Sequence, residues 1–137
     1  MSTTIRPELS ERNKYWIEKH RYYELKHFCL QYPHWKKAYI LCSVNNSPKS
    51  DISVKNDKVS KPTEECALKK VFYSNRMNMV EQAAKDADEF LSSYILKAVT
   101  AGMSYDTLRV QMNIPCSRDV YYEYYRKFFW LLDKARA

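Results

Sequence analysis

The side chains best placed to do chemistry lie near the C-terminus, in AGMSYDTLRVQMNIPCSRDVYYEYYRKFFWLLDKARA (residues 101–137). Ser117 and Arg118 stand where a long amphipathic segment begins. A guanidinium there can grip guanine O6 and N7 through two bonds. A serine beside free backbone N–H groups suits a phosphate. Tyr122, Arg126 and Lys127 follow at helical spacing, with Asp119 beside them and Ser104 one element earlier. Tyr122 could meet a thymine methyl, and the two cations could meet the backbone. Lys134 and Arg136 extend a basic edge. The chemistry such a set supports is non-covalent reading of double-stranded DNA.

Other reactive groups form weaker patterns. His27, Cys29 and His34 invite a metal reading. On a helix, however, positions two apart point about 200° away from each other, and no CxxC or HxxxH pair supports them. Cys29 reads better as a small core residue. Cys116 paired with a histidine from the N-terminal block would make a nucleophile, but no Gly-lined oxyanion loop accompanies it. The carboxylates fall in helical charge patterns. The expectation is no enzyme, no catalytic residue, no metal and no cofactor.

The segment that carries Arg118 predicts its own geometry. Gly102 is the only glycine in 137 residues, and it falls where a left-handed residue ends a helix. Ser104 then caps a short helix from Tyr105 to Met112, with Leu108 and Met112 facing inward. Asn113 takes the next left-handed position, Ile114 plugs the turn and Pro115 enforces it. Ser117 caps a final helix from Arg118 to about Lys134. Its expected buried stripe is Val120, Tyr124, Phe128, Leu131 and Ala135. Two capped helices around a tight, plugged turn make a helix-turn-helix over 104–134. Reading duplex DNA this way calls for the start of the last helix to stand free and cationic.

The remaining elements must support that motif. Residues 1–9 read as a disordered lead. Residues 10–42 read as a helical hairpin, with Ser10 capping a helix over 11–32 and Pro33 stopping it. Tyr15, Tyr22, Leu25, Cys29 and Tyr32 make one stripe; Trp16, Tyr23 and Leu30 make a second seam. A shorter segment, HWKKAYILC, follows. Residues 43–62, without aromatics and rich in Ser, Asn, Asp and Lys, read as a flexible linker. Residues 63–137 form a helical unit in which Leu68, Phe72, Met79 and Ala83 face one way. Asp86 and Asp88 mark a break, and Ala87, Leu91, Tyr94, Ile95 and Ala98 mark the next helix. The fold class is all-α, a helical bundle.

Composition bounds the alternatives. The formal net charge is +7, with 15% aromatic residues. A single glycine excludes Gly-rich phosphate loops and dinucleotide fingerprints. The basic excess lies in residues 1–62 and 101–137, while 63–100 carry a net −1. That balance suits an anionic partner or an ordinary solvated surface. No stretch approaches the roughly 20 apolar residues of a membrane span. The start MSTTIRPELSERNKYW lacks the apolar region of a secretory signal. Reduced thiols and a cytoplasmic setting are expected. The aromatics at 121, 122, 124, 125 and 128–130 exceed what one helix face can bury. Two readings stay open: the Trp16–Trp35 hairpin covers them, or they form a partner or dimer surface.

The segment GMSYDTLRVQMNIPCSRDVYYEYYRKFF resembles the sigma-region-4-like helix-turn-helix of phage and prophage transcription regulators of Gram-positive hosts. The matching positions are Gly102, Ser104, Leu108, Ser117, Arg118, Val120 and Tyr121. YWIEKHRYYELKHFCLQYPHWKKAY, YSNRMNMVEQAA and ILKAVTAG are similar to regulators related to the ArpU and RinA late-gene activators. The chain departs from the pattern at Arg109, where a small residue is usual, and at Asn113, in place of glycine. It departs again at the inserted Pro115 and Cys116, and in its tyrosine-rich last helix. The resemblance implies promoter binding, activation of phage genes and contact with host RNA polymerase; a homodimer is a separate expectation, from the surplus aromatics of the last helix. The rivals are a phage-encoded inhibitor or adaptor that docks on a protein through its aromatic face, and a small terminase-like packaging subunit.

Overall fold

The computed structural model describes residues 13–45 and 60–137, and side chains over 13–44 and 64–137. The expected lead (1–9), the cap at Ser10 and the body of the expected linker lie outside the described residues. Among the described residues there are six α-helices and no strand. They are α1 (Lys19–Leu30), α2 (Tyr32–Asn45), α3 (Ser60–Ala87), α4 (Ser92–Ala101), α5 (Tyr105–Met112) and α6 (Arg118–Ala135). The all-α class is as the periodicity predicts. None of these helices is long and apolar enough to cross a membrane.

The first helix begins at Lys19, later than the sequence suggests. Asn13 bends the chain before it: its Oδ1 accepts from Tyr15 N–H at 2.8 Å and its carbonyl from Trp16 N–H at 3.0 Å. Such an Asx turn competes with helix. Glu18 then caps α1 by accepting from the N–H groups of His20 and Arg21. Pro33 does not end a helix; it sits in the first turn of α2, where its missing N–H costs nothing. The ends of the expected linker are helical, since α2 runs to Asn45 and α3 starts at Ser60 rather than Thr63.

The described residues fall into two units. One joins those of Met1–Gln31 to Met79–Ala137; the other holds those of Tyr32–Asn78. The expected grouping into a 10–42 hairpin and a 63–137 bundle differs from this. Within the first unit α1 packs on α4 and α6, and α4 packs on α5. Tyr22, Leu25, Phe28 and Cys29 are the buried face of α1. The second seam is not buried as a seam: Tyr23 and Leu30 are exposed, because α1 meets its neighbours along one stripe only.

The core of this unit is aromatic. Tyr22, Tyr121, Phe128 and Phe129 are almost fully buried, each contributing about 1.5–3 kcal/mol by burial. The Tyr22 and Phe129 rings meet edge to face at 5.1 Å, and the Tyr22 and Tyr125 hydroxyls are hydrogen-bonded at 2.8 Å. Arg21 Nε donates to Asp133 at 2.6 Å, fastening α1 to α6. That bond, and a second to Glu24, raises the arginine pKa. Tyr15 meets Trp130 edge-on at 5.4 Å. The aromatic surplus of α6 is thus covered in large part by α1 and the turn before it.

In the second unit Trp35 and Cys42 are buried. Cys66 is hydrogen-bonded to Cys42, which raises its thiol pKa. Leu68 and Phe72, expected on an inward face of α3 with Ala83, are exposed; Ala83 is buried in the first unit. The break after α3 falls where expected, and there Asp88 accepts from Leu91 N–H at 3.0 Å.

Candidate nucleic-acid interface

The motif that presents Arg118 is built from local bonds the sequence specifies. Gly102 ends α4 at φ 70°, ψ 35°. An L side chain there would strain the backbone. Met103 N–H then reaches back to the Ala98 carbonyl at 3.0 Å. Ser104 caps α5 by accepting from Thr107 N–H at 3.2 Å. Asn113 ends it at φ 55°, ψ 50°. Ile114 is buried in the turn. Ser117 caps α6, accepting from Val120 N–H at 3.3 Å.

One strut across this motif was not anticipated. The Tyr105 hydroxyl donates to the Cys116 carbonyl at 2.6 Å, tying the start of α5 to the residue before the α6 cap. The Tyr105 ring also lies 5.6 Å from Tyr121 and 6.4 Å from Tyr122. The only sequence signal for it was an aromatic directly after a cap residue.

Arg118 is exposed, and it is held. Its Nη1 donates to Asp106 on α5 at 3.2 Å. Its guanidinium lies 6.0 Å from the Tyr105 ring and 5.8 Å from the Tyr122 ring. One of its five donors is thereby committed, and the group is restrained before any ligand arrives. Asp106 was missed in the sequence because it lies twelve positions away, on another helix.

The remaining expected contacts divide. Ser117 and Asp119 are exposed beside Arg118. Ser104 is half-buried and its hydroxyl is engaged by Thr107. Tyr122 is not on the surface: it is 6% exposed and packs against Tyr105, Tyr121 and Tyr125. Arg126 and Lys127 are half-buried, and Arg126 Nε is enclosed without a hydrogen-bond partner. The expected basic edge is drawn onto the protein's own rings, Lys134 over Trp130 at 4.2 Å and Arg136 over Phe28 at 3.8 Å.

These changes share one cause. The buried face of α6 is Tyr121, Tyr122, Phe128, Phe129 and Leu132, not the stripe through Val120, Tyr124, Leu131 and Ala135. Among that stripe only Phe128 is buried; Val120 is 45% exposed. A shift of one residue turns a helix face by about 100°, and it carries Tyr122 inward and Val120 outward. The outward face of α5 and early α6 offers Arg109, Val110, Gln111, Arg118, Asp119, Val120 and Glu123. Between Ser104 and Tyr124 the chain carries two arginines against three carboxylates. The start of α6 therefore stands free as expected, but it is not cationic.

The reactive groups outside the motif are muted. Cys29 is fully buried while His27 is exposed, so the two lie on different faces of α1. Burial pushes the Cys29 thiol pKa well up. Burial, with Asp88 nearby, pushes Cys116 up as well. A raised pKa keeps a thiol protonated and a poor nucleophile. No protein-family model, curated protein or solved structure matches the chain.

Proposed function

We propose that this protein is a phage-type transcription regulator that reads duplex DNA with the start of α6, through a few directed contacts in place of the basic surface that the sequence led us to expect. The observation that carries the proposal is the restrained Arg118. It projects beside the Ser117 cap, at the front of a helix-turn-helix whose turn is plugged by Ile114 and strutted by Tyr105. An arginine fixed by a neighbouring carboxylate loses little freedom on binding, which favours bidentate contact with one guanine. Val120, exposed two residues on, suits a thymine methyl. Arg109 at the end of α5 supplies a phosphate contact. Host RNA polymerase is the protein partner in this proposal, and a homodimer the assembly that reads paired half-sites.

The balance of charge shapes the test. With only Arg109 and Arg118 as cations on the face, the slope in log K against log salt should be shallow, about −2 at most. Selection of bound duplexes from a random pool, followed by salt titration, measures both site and slope. Replacing Arg118 with Ala costs about 1–3 kcal/mol and relaxes one base position. No selected sequence, or an unchanged site in the variant, refutes the proposal.

A second reading has its own support. The same face carries more carboxylates than arginines and exposes Val110 at 81% and Val120 at 45%. Those features also fit an adaptor that docks on a host protein. That reading expects no DNA selection and loss of the partner on Val110→Asp.

A further inference from the structure

We propose that Cys42 and Cys66 are an oxidisable pair, which a small-molecule disulfide such as oxidised glutathione closes into a covalent bond between α2 and α3. Both belong to the Tyr32–Asn78 unit. Cys42 is buried near the end of α2, and Cys66 is half-buried in the second turn of α3. The two thiols are hydrogen-bonded to each other. A second contact fixes the same register. Lys70 lies over the Tyr39 ring at 5.3 Å, and Tyr39 shares a groove with Ala67, Lys70 and Val71. Tyr39 comes one turn before Cys42 on α2, and Lys70 one turn after Cys66 on α3. Two helices running in opposite directions and touching at Tyr39 and Lys70 bring Cys42 opposite Cys66.

The other two thiols, Cys29 and Cys116, belong to the other unit, and Cys29 is fully enclosed there. Among the described residues no third histidine, cysteine or carboxylate joins Cys42 and Cys66 to make a metal site. Two sulfurs in contact, one open to a reagent and one enclosed behind it, have the arrangement of an attacking and a resolving thiol. Cys66 is the reachable one. Its bond to Cys42 raises its pKa, while Lys69 and Lys70 pull the other way. Attack by Cys66 is therefore slow at neutral pH and faster in mild alkali.

The exchange balances in two steps. Cys66 loses its proton, and its sulfur attacks one sulfur of oxidised glutathione. The glutathione S–S bond breaks, and the first glutathione leaves as a thiolate that takes up a proton. Cys42 then loses its proton and attacks the Cys66 sulfur of the mixed disulfide, expelling a second glutathione that is protonated in turn. Two protein thiols are oxidised and one glutathione disulfide is reduced to two thiols. The new bond closes a ring from position 42 to position 66, about 25 residues, and so removes freedom from the unfolded chain. It also ties α2 to α3 in a unit that leaves Ile40, Leu41 and Leu68 exposed. The redox poise of the surroundings thereby sets how firmly these two helices are held. The pair does not depend on DNA being the partner, so a failure of DNA binding leaves it standing.

The test treats the full chain with oxidised glutathione at about pH 8.5 and follows the intact mass and the peptide map. The expected product has lost about 2 Da, has two of its four thiols blocked, and yields one peptide pair joined through Cys42 and Cys66. Dithiothreitol should return both thiols. Cys42→Ala should stop the reaction halfway, with a glutathione of about 305 Da held on Cys66. Cys116→Ser should leave the mass loss unchanged. The thermal midpoint of the oxidised chain should rise above that of the reduced chain. In urea, where only sequence distance counts, Cys29 and Cys42 close a shorter loop and should compete for the bond. The proposal is overturned if the unaltered chain keeps glutathione on Cys66, since thiols in contact exchange within the molecule. A bond to Cys29 or Cys116 in the folded chain, or no oxidation at all, overturns it too.

Discussion

In the unit made by α1, the end of α3 and α4–α6, Tyr22, Tyr121, Phe128 and Phe129 are each 1% exposed or less. In the Tyr32–Asn78 unit, Ile40, Leu41, Val44, Leu68, Val71 and Phe72 stand between 47% and 71% exposed. The first unit has layers enough to enclose large rings. Among the described residues the second holds α2 and most of α3, and a pair of helices leaves an apolar flank on each. Arg76 lies 4.0 Å from the Phe72 ring and Lys70 5.3 Å from Tyr39, so cations partly cover these rings. Rigidity, and with it a fixed Arg118, belongs to the aromatic unit.

That contrast can be broken most directly by truncation. Phe129→Ala should cost about 3–5 kcal/mol in denaturant unfolding, because it empties a fully enclosed site. Leu68→Ala, at a position 71% exposed, should move stability by about 0.5 kcal/mol or less. Equal costs would erase the distinction. Gly102→Ala sharpens it next. The nearest atom to an added Cβ is Leu30 Cδ2 at 3.7 Å, an ordinary contact. The expected loss of about 1–2 kcal/mol is therefore backbone strain alone. Asp133→Asn removes the partner of Arg21 and should cost about 0.2–1 kcal/mol, since both side chains reach solvent.

Alkali offers the gentlest probe. Burial raises the pKa of Cys29, Tyr121 and Tyr125, so the folded unit keeps protons that the unfolded chain releases. The folded state then binds more protons, and stability falls as pH rises. The decline should be absent at pH 7, begin as pH passes the ordinary thiol value of 9.0, and steepen past the ordinary phenol value of 10.0. Denaturant midpoints between pH 7 and 11 measure it. A flat profile would mean that these groups are open to water.

What could be read in the sequence was local. Gly102, Ser104, Asn113, Ile114 and Ser117 each act on atoms within a few residues, and each sits where its type predicts. The choice of which α6 face to bury could not be read so. Tyrosines at 121, 122, 124 and 125 make both faces plausible by periodicity, and α1, nearly a hundred residues upstream, decides between them through Tyr22 and Asp133. Asp106, Tyr105 and Cys66 were hidden for the same reason. Their partners lie on other helices, and one sequence carries no record of that pairing.

The strut from Tyr105 to Cys116 spans eleven positions, and inside them lies α5, closed at its far end by the left-handed Asn113. Such a frame works as a gauge block. One added or deleted residue within it would swing Arg118 away from Asp106 by roughly a quarter turn and leave a phenol with nothing to hold. Length variation is therefore forbidden there. An engineer who wants to retune what α6 reads must exchange side chains on its outer face and leave the count alone.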